Sequence, residues 1–97
     1  MTLTAKQRQY LKGLAHPLSP VVRVGKGGLT PSLIAETKRS LEAHELIKVR
    51  IEIDDTADRR EVAAQLAAES GAELAGTIGK TAMLYRAREE KPKIRLP

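Results

Sequence analysis

The chain has 97 residues, no cysteine and a formal net charge of +5 at neutral pH. This length predicts one small domain, and the lack of cysteine excludes disulfide bonds and thiol chemistry, as is typical of a reducing compartment. The sequence has no signal peptide and no apolar run long enough to span a bilayer, so we expect a cytoplasmic protein with no membrane partner.

The positive charge is concentrated in the first half of the chain. Residues 1–50 carry nine basic and three acidic side chains, whereas residues 51–97 carry eight basic and nine acidic ones. This asymmetry favours one surface that faces a polyanion.

The first predicted element is a helix over residues 4–16. Thr4 and Gln7 have the spacing of a capping box, and Tyr10, Leu11 and Leu14 fall on one side. A proline follows residue 16 and ends the helix, because the residue before a proline disfavours helical angles.

The segment from Val22 to Pro31 predicts a short strand, a glycine-rich loop and the start of a second helix. The loop is Gly25–Gly28 and carries Lys26, and Thr30 is a suitable N-cap for the helix. Glycines allow close approach of the backbone to a ligand. Backbone N–H groups, the helix dipole and the lysine ammonium are therefore predicted to converge on one anion, most naturally a phosphate.

The remaining elements follow from hydrophobic periodicity and from start and stop signals. Residues 31–44 predict a helix, residues 46–53 a strand of alternating polarity, and residues 54–57 a turn. Asp58 and Glu61 predict a capping box for a third helix that closes at Gly71. Two strands are predicted over residues 73–78 and 82–88, joined by a short turn at 79–80.

This order predicts a compact α/β single domain, with an N-terminal helix and then β-α-β-α-β-β around a mixed four-stranded sheet. The domain is expected to cover residues 2–88, and residues 89–97 are expected to form a flexible basic tail. The strict alternation of apolar and polar residues in the second strand predicts that one face of the sheet is covered and that the other is exposed to solvent. Arg23, Lys48 and Arg50 are expected on the exposed face.

Several kinds of chemistry are not favoured. The segment Gly76–Thr81 ends in Gly-Lys-Thr, but Leu74 stands where a nucleotide-binding P-loop needs its first glycine, and a strand follows instead of a helix. His16 and His44 are isolated, and no serine has a matching His/Asp arrangement. We therefore predict no catalytic residue, no metal site, no cofactor and no small-molecule substrate.

Only two residues are aromatic, both tyrosines, so base stacking cannot dominate recognition of a nucleic acid. We expect contacts to the phosphate backbone instead. The candidate residues for contacts to a nucleic-acid backbone are Arg23, Gly25, Lys26, Gly27, Gly28, Thr30, Lys38, Lys48 and Arg50. Two functions other than RNA binding remain open. One is a DNA-binding, chromatin-like protein. The other is an enzyme that acts on a phosphorylated small molecule, which would need an apolar pocket beside the loop.

Over residues 2–88 the sequence resembles the CRM domain (chloroplast RNA splicing and ribosome maturation) in its short, stand-alone bacterial YhbY-type form. The resemblance is carried by the opening helix with Leu11 and Leu14, the segments 22–30 and 41–49, and Ile78-Gly79.

The resemblance implies a fold like the C-terminal domain of bacterial translation initiation factor three. It also implies RNA binding through a GxxG loop, here Gly25–Gly28, and through nearby basic surface, and association with precursors of the large ribosomal subunit. The tail after Arg88 lies outside the family pattern.

Overall fold

The structure is a computed structural model that describes residues 2–97 and contains three helices and four strands in the predicted order. The elements are α1 (Ala5–Ala15), β1 (Pro20–Val24), α2 (Pro31–His44), β2 (Leu46–Ile51), α3 (Thr56–Ser70), β3 (Glu73–Ile78) and β4 (Thr81–Tyr85). None of the helices among these residues is long and apolar enough to cross a membrane.

The four strands form one mixed sheet in the spatial order β1-β2-β4-β3. β1 pairs with β2 in parallel, and β4 pairs antiparallel with both β2 and β3. The predicted fold class is therefore confirmed. The topology brings the carboxyl ends of β1, β2 and β3 to the same edge of the sheet, which we call the loop edge because the glycine loop follows β1 there.

One face of the sheet is covered by α2 and α3. Leu41 of α2 and Leu66 of α3 are buried against alternate residues of the strands, as the periodicity predicted. The buried strand residues of this core are Val22, Val24, Ile47, Val49, Ile51, Ala82 and Leu84.

The expectation that the other face is exposed to solvent is wrong where α1 packs on it, over parts of β2, β3 and β4. Leu11 and Ala15 of α1 are fully buried there, in a second core that includes Met83 and Tyr85. β4 lies between β2 and β3 and is buried on both faces, which requires a continuous apolar run rather than alternation. The predicted apolar side of α1 is also partly wrong, since Tyr10 remains 42% exposed.

The start of α3 differs from the prediction as well. The N-cap is Asp55, whose carboxylate accepts a hydrogen bond from the backbone N–H of Asp58 at 2.9 Å, so the capping box predicted for Asp58 and Glu61 does not form. Four of the five residues from Asp54 to Asp58 carry a side-chain acceptor suited to an N-cap, which made the sequence ambiguous at this point.

We predict that Asp55→Ala lowers the free energy of unfolding by about 1 kcal/mol, because it leaves one N-terminal N–H of α3 without its acceptor. Asp58→Ala is the matched control and should cost less, since it removes only a charge near the helix N-terminus. Urea denaturation of both variants measures the difference. A larger loss for Asp58→Ala would contradict this assignment of the cap.

The chain leaves the sheet after Tyr85, earlier than predicted, and turns towards Glu45, the C-cap of α2. The N–H of Arg86 donates to the carbonyl of Glu45 at 2.8 Å. Further along, the N–H groups of Lys93 and Ile94 donate to the Glu45 carboxylate at 2.6 and 2.9 Å. The mobility expected of residues 89–97 stays a prediction, and these contacts argue against it.

Candidate nucleic-acid interface

The glycine loop Gly25–Gly28 connects β1 to α2 at the loop edge. Next to it, the N–H of Glu52 donates to the carbonyl of Val24 at 2.8 Å, and the N–H of Ile51 donates to the carbonyl of Lys80 at 2.7 Å. The glycine loop, the end of β2 and the β3–β4 turn therefore lie side by side.

The glycine loop is a tight turn that opens to solvent. The N–H of Gly28 donates to the carbonyl of Gly25 at 3.1 Å, and Gly28 has a positive φ of 84°, a conformation that favours glycine. A Cβ atom built on Gly25 or Gly27 would meet nothing within 4 Å. The backbone of the loop is therefore accessible to a large ligand.

Fewer backbone donors are free than the sequence suggested. The Gly28 N–H closes the turn, Pro31 has no N–H, and the Thr30 side chain accepts the N–H of Leu33 at 3.1 Å. Within residues 2–97, the N–H groups of Gly25, Lys26 and Gly27 have no hydrogen-bond partner. These three amides are the donors that the glycine loop can offer to an anion.

The Lys26 ammonium adds a positive charge to these donors. It is exposed and lies close enough to Asp54 to help lower the pKa of that carboxyl, although the main cause is the Lys80 ammonium, which donates to Asp54 at 2.8 Å. Among residues 2–97, Asp54 forms its ion pair with Lys80 and none with Lys26, so the Lys26 ammonium is available to an anion beside the glycine loop.

Arg23 and Arg50 extend this positive surface along the sheet. They are direct neighbours in the parallel pairing of β1 and β2, and both face Glu52. Arg50 donates to its carboxylate and Arg23 lies 3.5 Å from it, and the hydrogen bond from Arg50 is the main cause that lowers the Glu52 pKa. Because the Arg23 side chain is 69% exposed, its guanidinium can also reach a phosphate.

The sequence of this chain matches the family model described as the CRS1 / YhbY (CRM) domain over residues 3–86. The chain belongs to the CRM domain family. The resemblance noted from the motifs is therefore confirmed.

The similarity of this CRM domain to its relatives covers nearly the whole chain. "Probable RNA-binding protein YqeI" of Bacillus subtilis is 41% identical, with 98% of this chain and 99% of that protein covered. An "RNA-binding protein" of Haemophilus influenzae is 45% identical, with 99% and 96% covered. A solution structure of a Staphylococcus aureus protein superposes with a TM-score of 0.89 at 38% identity and covers 99% of this chain and all of that one.

Not all of the predicted residues meet at the loop edge of this CRM domain. Arg23, Gly25–Gly28 and Arg50 do, and Thr30 lies at the adjacent helix start. Lys48 is half-buried further along β2, and its ammonium donates to the backbone carbonyls of residues 16 and 18 at 3.1 and 2.9 Å. Lys38 is exposed on α2, about two helical turns from the glycine loop.

The sequence-based choice of residues missed three cations at the loop edge of the CRM domain: Arg59 and Arg60 of α3, and Lys80 of the β3–β4 turn. Lys80 was interpreted only as part of a tight turn. Its position next to Ile51 depends on the pairing of β4 with β2, which no local pattern in the sequence reports.

Proposed function

We propose that this CRM domain binds RNA, with the glycine loop holding a backbone phosphate. The observation that carries the proposal is the open loop backbone, in which the amides of Gly25, Lys26 and Gly27 are unpaired among the described residues beside an exposed ammonium. The names of the relatives support RNA as the partner.

The binding is directed at shape and backbone rather than at individual bases. Arg23 and Arg50 supply guanidinium groups to neighbouring phosphates, while the amides of the glycine loop hold the closest one. Base stacking contributes little, because Tyr85 is only 3% exposed and Tyr10 is the remaining aromatic side chain. Folded RNA is therefore the preferred class over unstructured homopolymers.

The cellular role that fits such a domain is assembly of the large ribosomal subunit, since the family resemblance implies association with precursors of that subunit. The compartment expected from the sequence is the cytoplasm. Crosslinking in cells followed by sequencing of the bound RNA tests this role. Enrichment of large-subunit ribosomal RNA precursors is expected. Enrichment of unrelated transcripts would overturn the ribosomal assignment and leave RNA binding in place.

A competition experiment tests RNA against DNA. Labelled large-subunit ribosomal RNA is bound to the full chain at physiological salt and challenged with unlabelled RNA stem-loops, a single-stranded homopolymer or duplex DNA. We expect the folded RNA to compete best. Equal competition by duplex DNA would favour the DNA-binding alternative, and failure of the chain to retain ribosomal RNA would contradict the proposal.

We predict that the affinity for ribosomal RNA falls steeply as salt is raised. Each phosphate neutralised by a cation of the loop edge releases a counterion, so log K should fall against log salt with a slope of about 0.7 to 0.9 per phosphate contact. Filter binding over a series of potassium chloride concentrations measures the slope. An affinity that hardly changes between low and physiological salt would contradict an interface led by phosphate contacts.

A further inference from the structure

A polar cleft lies at the loop edge between the first turns of α3 and the β3–β4 hairpin. Its volume is about 150 Å³. The polar side chains that line it are Thr56, Arg59, Arg60, Thr77, Lys80 and Thr81. It therefore includes the lysine and a threonine of the Gly-Lys-Thr segment for which the sequence indicated only a turn.

Two of the three cations of this cleft already form hydrogen bonds within the protein. The Arg59 guanidinium donates to the backbone carbonyls of Ile53 and Asp54, both at 2.8 Å. Lys80 donates to the Asp54 carboxylate, also at 2.8 Å. The Lys80 ammonium keeps donors for a further acceptor, since it carries three N–H groups and makes one hydrogen bond among the described residues.

Three of the other polar groups of the cleft have no partner among the described residues, while the Thr56 hydroxyl accepts a hydrogen bond from Arg59 at 3.4 Å. Across residues 2–97, the Arg60 guanidinium and the hydroxyl groups of Thr77 and Thr81 make no hydrogen bond or ion pair. Arg60 lies in the second turn of α3 and is exposed. A bound anion would accept hydrogen bonds from these unpaired donors.

Backbone hydrogen bonds place the cleft next to the glycine loop. The N–H of Ile51, which lines the cleft, donates to the carbonyl of Lys80 at 2.7 Å. The N–H of the next residue, Glu52, donates to the carbonyl of Val24 at 2.8 Å, directly before the glycine loop. The anion positions at the loop and in the cleft are therefore adjacent, and the Asp54 carboxylate near them is already paired with Lys80.

We propose that this cleft binds a second backbone phosphate of the same RNA, next to the phosphate at the glycine loop; the inference rests on the proposed function. The cleft is smaller than the roughly 300–1,000 Å³ of ordinary small-molecule sites, so it suits one phosphate group of a larger ligand rather than a whole nucleotide. The RNA strand then runs along the loop edge from Gly25–Gly28 to the β3–β4 hairpin.

The test compares Arg60→Ala with Lys6→Ala, using purified ribosomal RNA and filter binding across a salt series. Lys6 is an exposed cation of α1 without a partner in residues 2–97, so its removal changes the net charge equally. We expect Arg60→Ala to weaken binding roughly three- to tenfold and to reduce the salt slope by about 0.7, and Lys6→Ala to leave the slope unchanged.

Further variants separate failure of the cleft from failure of the function. Arg60→Glu should weaken binding more than Arg60→Ala, and both should melt like the wild type because Arg60 makes no hydrogen bond or ion pair among residues 2–97. If wild-type chain binds ribosomal RNA and Gly27→Asp abolishes that binding, but Arg60→Ala behaves like Lys6→Ala, the cleft proposal alone is overturned. If the wild type does not bind, the proposed function fails first.

Discussion

Replacing Gly27 by aspartate is expected to remove most RNA binding while the domain stays folded. A Cβ atom at this position meets nothing within 4 Å, and the φ of Gly27 is not positive, so the fold accepts a side chain. The new carboxylate would lie where the phosphate binds. Two like charges about 4 Å apart repel by roughly 1 kcal/mol in water and by about 4 kcal/mol near a protein surface, which corresponds to a loss of at least about fivefold.

Gly27→Asn is the matched control, because asparagine has nearly the same shape as aspartate without the charge. We expect it to retain much of the affinity, so that the difference between the two variants measures charge repulsion. Lys26→Ala should be milder than Gly27→Asp, since it removes one cation and leaves the backbone amides in place.

Thermal melts and filter binding on the same protein samples separate a lost site from a lost fold. Gly28→Ala provides the comparison for backbone strain, because its φ of 84° is unfavourable for alanine and should lower stability by about 1 kcal/mol. A well-folded Gly27→Asp variant with wild-type affinity would show that the glycine loop is not the phosphate site.

Replacing Glu45 by alanine is expected to cause the largest loss of stability of any single change considered, about 2–3 kcal/mol. Glu45 is fully buried, and its carboxylate accepts the backbone N–H groups of Arg88, Lys93 and Ile94. Without the carboxylate these three donors lose their acceptor, and residues 93 and 94 lose their hydrogen bonds to the end of α2. Denaturation in urea measures the loss.

Glu42→Ala is the control for charge alone. Glu42 lies one turn earlier on α2, its side chain is 72% exposed and it pairs with Arg86 at 3.3 Å, so its removal should cost about 0–1 kcal/mol. Truncation after residue 88 completes a double-mutant cycle with Glu45→Ala. If the carboxylate acts through the tail, the two changes are not additive; additive losses would contradict that attachment.

Hydrogen exchange measures the mobility expected of residues 89–97. If the Glu45 carboxylate holds this segment, the amides of Lys93 and Ile94 should exchange slowly in the wild type and quickly in Glu45→Ala. Fast exchange of both amides in the wild type would support the mobile tail that composition predicts.

The attachment should also weaken in acid. Burial on its own raises the pKa of Glu45, but the backbone N–H groups of Arg88, Ile94 and Lys93 and the Arg88 charge outweigh it, so the pKa lies below its ordinary value of 4.5. The same carboxylate adds to the burial that raises the pKa of Tyr85. A lowered pKa contributes stability above the ordinary value, and this contribution disappears as the pH falls through the pKa of the folded state.

Glu45→Gln provides the comparison for this pH dependence, because its side chain does not titrate. The stability difference between the wild type and Glu45→Gln should be largest near neutral pH and should shrink as the pH falls below 4.5. A difference that is constant through the acid range would contradict a structural role for the ionised carboxylate.

The sequence by itself determined the order of the elements and the place of the glycine loop. The capping box of Thr4, the N-cap of Thr30 and the end of α3 at Gly71 are as predicted, because caps and glycine stops act over three or four residues. The alternation of apolar and polar residues in β2 likewise predicted which side of this strand packs against α2 and α3.

Tertiary structure alone decided what covers the second sheet face and which charges meet. The insertion of β4 between β2 and β3 brings Lys80 beside the glycine loop, and α1 folds back over Met83 and Tyr85. Glu45 gave no local signal, because its partners lie more than forty residues later in the chain. Burial and pairing between distant segments depend on the packing of the whole sheet, so the local periodicity of the sequence does not predict them.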